Sequence, residues 1–220
     1  MLELPVQKSR GRGLRILCLG AHSDDIEIGC GGTILELAAR RRFAEVAWVV
    51  FSSGTNRDRE ARESATLFLK GVKRQNVHVH DFRDSFFPSI TAEIKERFEK
   101  LKKEFLPDVI FTHCRHDLHQ DHRTICELTW NTFRNHLILE YEIPKYDGDL
   151  GSPNCFVPLD RKVCERKSKL LCQIFGTQRN KHWFSRETFM ALMRLRGIEA
   201  NSPTGYAEAF YGRKVSLGVQ

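Results

Sequence analysis

Leu14-Arg-Ile-Leu-Cys-Leu19 runs directly into Gly20-Ala-His22-Ser-Asp24-Asp25. The first stretch is apolar except for Arg15. It reads as a buried strand that ends in a turn at Gly20. In an open α/β sheet the residues just past a strand lie at the carboxyl edge, where such sheets bind ligands. One imidazole and two carboxylates at that edge are a metal-binding or proton-transfer set. The pattern recurs further along the chain. Asp108-Val-Ile-Phe-Thr112 is a second apolar strand, followed by His113-Cys-Arg115-His116-Asp117-Leu-His119-Gln-Asp121-His122-Arg123. So many imidazoles beside carboxylates exceed what a solvated loop needs. Together they suit a divalent first-row metal, with zinc the default where no redox ligand is present.

Strands and helices alternate around these two segments. Ile34 to Arg41 continues a helix, and 46–51 is a strand followed by a polar loop at 52–57. A helix at 58–70 stops at Gly71, and 77–80 is a short strand. The helix at 89–104 halts before Pro107, and another spans 121–135. Beyond Leu137 the pattern loosens into a strand-like 137–143, a Gly/Asp/Pro loop at 144–154, helices near 160–173 and 185–196, and a strand near 206–211. This alternation predicts a single α/β domain over 1–220 with a Rossmann-like, mostly parallel sheet flanked by helices. The irregular C-terminal part is expected to form a substrate wall. Gly29-Cys-Gly31-Gly32 lacks the full dinucleotide pattern and reads as a tight turn into a helix at 33–41.

Composition excludes several classes. Apolar residues at 41% and charged residues at 29% fit a globular chain rather than a disordered one. No apolar run is long enough for a membrane span, and the first residues lack the apolar core of a secretory signal. The seven cysteines are odd in number and form no CxxC pair, which points to reduced thiols and a cytoplasmic setting. The net charge of +7 is spread over helices mixed with Glu, so no nucleic-acid partner is expected. A modest positive field favours an anionic small molecule instead.

Ala21-His22-Ser23-Asp24-Asp25 resembles the AHPDD motif of the LmbE-like, or PIG-L, zinc deacetylases, and His119-Gln120-Asp121-His122 resembles their distal HxDH motif. The resemblance extends over nearly the whole chain, through Gly31-Gly32-Thr33, the Arg/Glu-rich helix before Gly71-Val72, and Tyr206-Ala-Glu208-Ala-Phe210. Ser23 stands where the family usually has Pro. Ile26 separates the Asp pair from Glu27, which is therefore left out of the candidate set.

The resemblance implies Zn2+ held by His22, Asp25 and His122, with an open fourth position for water. Asp24 is then the general base, and His119 stabilises the oxyanion and, as imidazolium, protonates the leaving amine. Asp121 orients the His119 ring. Arg59, with Glu63, resembles polar positions that the family uses near substrate. Asp84, after the third strand, is placed to bond sugar hydroxyls. Glu208 is either a substrate contact or a structural partner for a buried Arg. The implied substrate is an N-acetylated amino sugar, free or conjugated, and a homo-oligomer is left open. Two rival readings are a metal-binding protein without hydrolytic activity and a nucleotide-binding Rossmann-like protein. A free Asp24 beside the metal argues against the first, and the His/Asp set is unexplained by the second.

Overall fold

The computed structural model describes residues 13–40 and 42–216. Residues 1–12, on which the expectation about a secretory signal rests, lie outside the described residues. Seven strands form one sheet: β1 (Leu14–His22), β2 (Phe43–Ser52), β3 (Gln75–Val79), β4 (Val109–His113), β5 (Leu137–Tyr141), β6 (Cys155–Pro158) and β7 (Ala207–Gly212). Their order is β3-β2-β1-β4-β5-β7-β6. The first five are parallel, and β7 runs antiparallel between β5 and β6.

Alternate residues of the central strands feed two separate cores. Ile16, Cys18, Val46, Trp48 and Val50 pack on one face with Ile34 of α1 (Asp25–Ala39) and Phe68 of α2 (Gly54–Phe68). Leu17, Leu19, Ala47, Val49 and Phe51 pack on the other with Phe98 of α3 (Thr91–Glu104) and Ile125 of α4 (Gln120–Thr132). Burial on both faces is why these strands read as continuous apolar runs. Each large side chain so buried contributes about 1.5–3 kcal/mol.

From β1 the chain winds outward through β2 and β3, then crosses back to β4 on the other side of β1. The order therefore reverses between β1 and β4, and a crevice opens beyond their carboxyl ends. His22 closes β1 and His113 closes β4, so the two sequence motifs meet there.

The structure departs from the sequence reading in three places. β1 continues through Gly20 to His22, and α1 starts at Asp25, so Gly29, Gly31 and Gly32 lie inside a helix rather than in a turn. The reason is close packing. A Cβ on Gly29 would overlap the Tyr141 ring, and one on Gly31 would stand 2.6 Å from Phe68 Cε1. α2 begins at Gly54, where a loop was expected. In the C-terminal part β6 is additional to the expected elements, and it pairs with the expected strand β7 to extend the sheet. α5 (Arg161–Ile174) and α6 (Arg186–Glu199) cover it. All seven cysteines are free thiols, five of them buried, and no helix among the described residues is long and apolar enough to cross a membrane.

Candidate active site

His22, Asp25 and His122 converge at the β1/β4 crevice, and all three are buried. His22 Nδ1 lies 3.2 Å from His122 Nε2 and 3.4 Å from Asp25 Oδ2, and Asp25 Oδ1 is 3.5 Å from His122 Nε2. The two carboxylate distances run to different Asp25 oxygens, and one donor atom from each of the three residues lies within 4.8 Å of the others, a cluster of the size that holds a divalent ion. The local charges point the same way. Burial opposes a charge on His22, yet Asp121, Asp25 and Asp84 hold its pKa well above the ordinary value, so positive charge is favoured here. Burial and then His113 push His122 down to about 4, against the pull of Asp25 and Asp117. His122 is therefore neutral at physiological pH, with a nitrogen lone pair to give.

The ligand set is braced from behind. Asp117 Oδ2 is 2.9 Å from His122 Nδ1, and its Oδ1 accepts from the His119 N–H at 2.8 Å. Lys145, itself buried against Asp149, lies 3.1 Å from the same Oδ1. The Asp25 carboxylate accepts from the His22 N–H at 2.6 Å. His113 is fully buried, stacks on the His122 ring, and has Nε2 3.2 Å from Asp25 Oδ2. Partners of this kind fix ring orientation and ligand basicity in metal sites.

Asp24 is buried beside the ligand set but is not one of it, and Arg57 Nη2 donates to its Oδ1 at 2.6 Å. Burial raises the Asp24 pKa; Arg57 opposes, and Asp25 adds to the rise. A carboxylate moved upward and held by a guanidinium is suited to exchange protons with water. The expected substrate residue Arg59 is exposed on α2, so the residue that reaches the crevice is Arg57, two positions earlier.

His119 caps α4 and receives the Asp121 N–H on Nδ1 at 3.3 Å. A neutral ring in this position carries its proton on Nε2. Burial, and next the nearby His22, lower its pKa. The expected pairing of the Asp121 carboxylate with this ring is not what the structure has. Its oxygens accept from Ser85 N–H at 2.6 Å and Phe87 N–H at 3.1 Å, and Oδ2 lies 3.2 Å from His22 Nε2. Asp121 therefore steadies His22 and the 84–87 loop.

Asp84 reaches the site, with Oδ1 3.1 Å from His22 Nε2 and its side chain half exposed. Glu208 does not. It is buried and accepts from Gly32 N–H, Thr33 N–H, the Thr33 hydroxyl and Lys167 Nζ at 2.6–2.7 Å. It clamps α1 to β7, with a Lys rather than an Arg as partner. His116 is exposed. Glu27, set aside on spacing, is fully buried. Burial pushes its carboxyl well above the usual range, and the Ser64 hydroxyl opposes this in part.

The sequence reading assigned no role to Arg57, Asp117, His113 or Lys145. Two of these carried a usable signal. Arg57 lies just past β2, which neighbours β1 at the switch point, and Asp117 stands five residues before His122 on the loop entering α4.

The fold and site define an α/β protein whose switch-point crevice holds a candidate metal set of two buried histidines and a buried aspartate beside the Asp24 carboxylate. The family described as PIG-L: GlcNAc-PI de-N-acetylase matches residues 17–133, more than half of the chain, and the chain belongs to that family. The uncharacterized deacetylase YaiS of Escherichia coli (strain K12) is 29% identical over 153 residues, which cover 66% of this chain and 82% of that protein. The N,N'-diacetylchitobiose deacetylase of Pyrococcus horikoshii superposes with a TM-score of 0.66 at 22% identity, over 89% of this chain and 82% of its own. GalB, the 4-carboxy-2-hydroxymuconate hydratase of Pseudomonas putida KT2440, superposes with a TM-score of 0.73 at 16% identity, over 94% and 99%. At these identities the two superpositions establish the fold, and the hydratase among them means that fold alone does not choose the reaction.

Proposed function

We propose that this chain is a zinc-dependent hydrolase that removes an acetyl group from the nitrogen of an amino sugar or its conjugate. The carrying observation is the buried His22–Asp25–His122 set, with one donor atom from each residue within 4.8 Å of the others. Membership of a de-N-acetylase family and the deacetylase activity named for two of the relatives support the acetylated-sugar substrate.

When bound at these three residues, zinc supplies Lewis acidity and brings the pKa of a water towards neutrality. Asp24, oriented by Arg57, accepts the proton of the attacking water. His119, neutral and with Nε2–H free to donate, bonds the acetyl oxygen as negative charge grows on it. This differs from the imidazolium role suggested by the family resemblance, because the Asp121 N–H aimed at Nδ1 disfavours a second ring proton. Asp24 is then the group that returns the proton to the departing amine. Asp117, Asp121 and His113 hold the ligand rings and carboxylate in place.

The test is release of free amine from a panel of N-acetylated sugars by zinc-loaded protein, with wild type compared with Asp24→Asn. Turnover in the wild type and its loss in a variant that keeps zinc supports the reading. Equal turnover in both overturns it.

A further inference from the structure

We infer a second cation site beside the first, built from Asp84, His119, Asp121 and the outer nitrogen of His22. One donor atom from each of the four residues lies within 4.8 Å of all the others. His22 Nε2 is 3.1 Å from Asp84 Oδ1 and 3.2 Å from Asp121 Oδ2, whereas its Nδ1 faces His122 and Asp25. The two sets thus use opposite nitrogens of one ring and share no other ligand. Two carboxylates with imidazoles are again a donor set for a divalent first-row cation.

The backbone builds this second set deliberately. Ser85 has a φ of +68°, a left-handed conformation that costs a non-glycine residue of order 1 kcal/mol or more and persists only where the surroundings impose it. Its N–H and that of Phe87 bind the Asp121 carboxylate, and this turn is what carries Asp84 to the His22 ring. The Asp84 side chain is 53% exposed, so a hydrated cation has an approach from solvent.

The second site is the weaker of the two. Ser85 and Phe87 compete for the lone pairs of Asp121. A cation in the first set repels one across the width of an imidazole. Binding at His22 Nε2 also displaces the proton that this nitrogen shares with Asp84 and Asp121, and the proton leaves to solvent. The site therefore fills at zinc in excess of one per chain. On the proposed function, occupancy there removes His119 from the acetyl oxygen, so excess zinc inhibits the enzyme.

Equilibrium dialysis of the full chain against stepped free zinc, with metal counted per chain, reads the site without reference to activity. Wild type should take up zinc in two steps, ending near two per chain. Asp84→Asn and His119→Gln should each weaken the second step at least tenfold and keep the first. A wild-type curve that ends at one zinc, or a second step unmoved in both variants, overturns the inference. The kinetic arm is the rate of amine release across the same zinc range, each protein scaled to its own maximum. Wild type should fall where the second step occurs, and Asp84→Asn should not. Two binding steps with no amine release at any zinc level would leave the site standing and sink the proposed function. Amine release with a single binding step would do the reverse.

Discussion

Replacing Asp117 by Ala probes how far the site depends on groups that never touch a metal. Asp117 is buried, and its carboxylate meets His122 Nδ1 at 2.9 Å, the His119 N–H at 2.8 Å and Lys145 Nζ at 3.1 Å. Loss of the first frees the His122 ring to turn about its side-chain torsions. Removing such an outer partner typically costs 10–100-fold in metal affinity. At about 1.4 kcal/mol per tenfold, that is about 1.4–2.8 kcal/mol. The contact is buried and involves a carboxylate, whose pKa burial would raise but His122 holds below the ordinary range. The upper half of that range is therefore expected for Ala. Asn keeps an oxygen for the His122 N–H without the charge, and about tenfold is expected. Lys145 retains Asp149, so no lysine is stranded. The His119 N–H does lose its acceptor, at about 1–3 kcal/mol of stability, or a Tm lower by a few degrees for a chain of this size. Zinc affinity is read by competition with a chelating indicator, and folding by thermal melting. A folded Asp117→Ala protein that binds zinc within twofold of wild type would refute the argument.

The other expectations concern division of labour among neighbours. Asp24→Asn should keep its zinc and lose turnover by about a hundredfold or more; loss of metal instead, with Asp25→Asn retaining it, would exchange the two roles. His119→Ala should depress kcat far more than it raises KM and leave the first zinc in place, because its contact is made chiefly in the transition state. Unchanged turnover would make His119 a bystander. Glu208→Ala should destabilise the protein by about 3–5 kcal/mol, since it leaves the buried Lys167 with the Ile28 carbonyl but without its counter-charge. Folded protein should show an unaltered KM, and a raised KM in a variant with near-normal melting would restore Glu208 as a substrate contact.

The central strands of the parallel half, β1 and β4 with most of β2, were legible because they are buried on both faces and so read as plain apolar runs. The two chemical clusters were legible because each follows such a strand, which places both at one edge. The Gly29–Gly32 segment misled because glycine marks either a turn or a close approach, and only the Tyr141, Phe68 and Leu159 side chains decide between them. β6 was missed because four residues, Cys155–Pro158, carry too little period to stand out. Within the site, the proposed ligand set came with the family resemblance, and neither it nor residue spacing gave the partnerships. Asp121 sits two residues from His119 yet spends its carboxylate on His22 and on the backbone of a loop that arrives from a distant part of the chain. Arg57 and Arg59 differ in sequence by two places on one helix, which turns one into the crevice and the other out to solvent.

The central claim is that one zinc at His22, Asp25 and His122 makes this chain an amide hydrolase. It is tested most directly by stripping the protein of metal, adding zinc back in measured fractions of an equivalent, and following free amine released from an N-acetylglucosamine conjugate. Activity should be absent from the stripped protein and rise linearly with added zinc to a break at one per chain. His22→Ala, Asp25→Ala and His122→Ala should each fail to recover. Turnover that survives complete removal of metal, or that returns in those three variants, would contradict it.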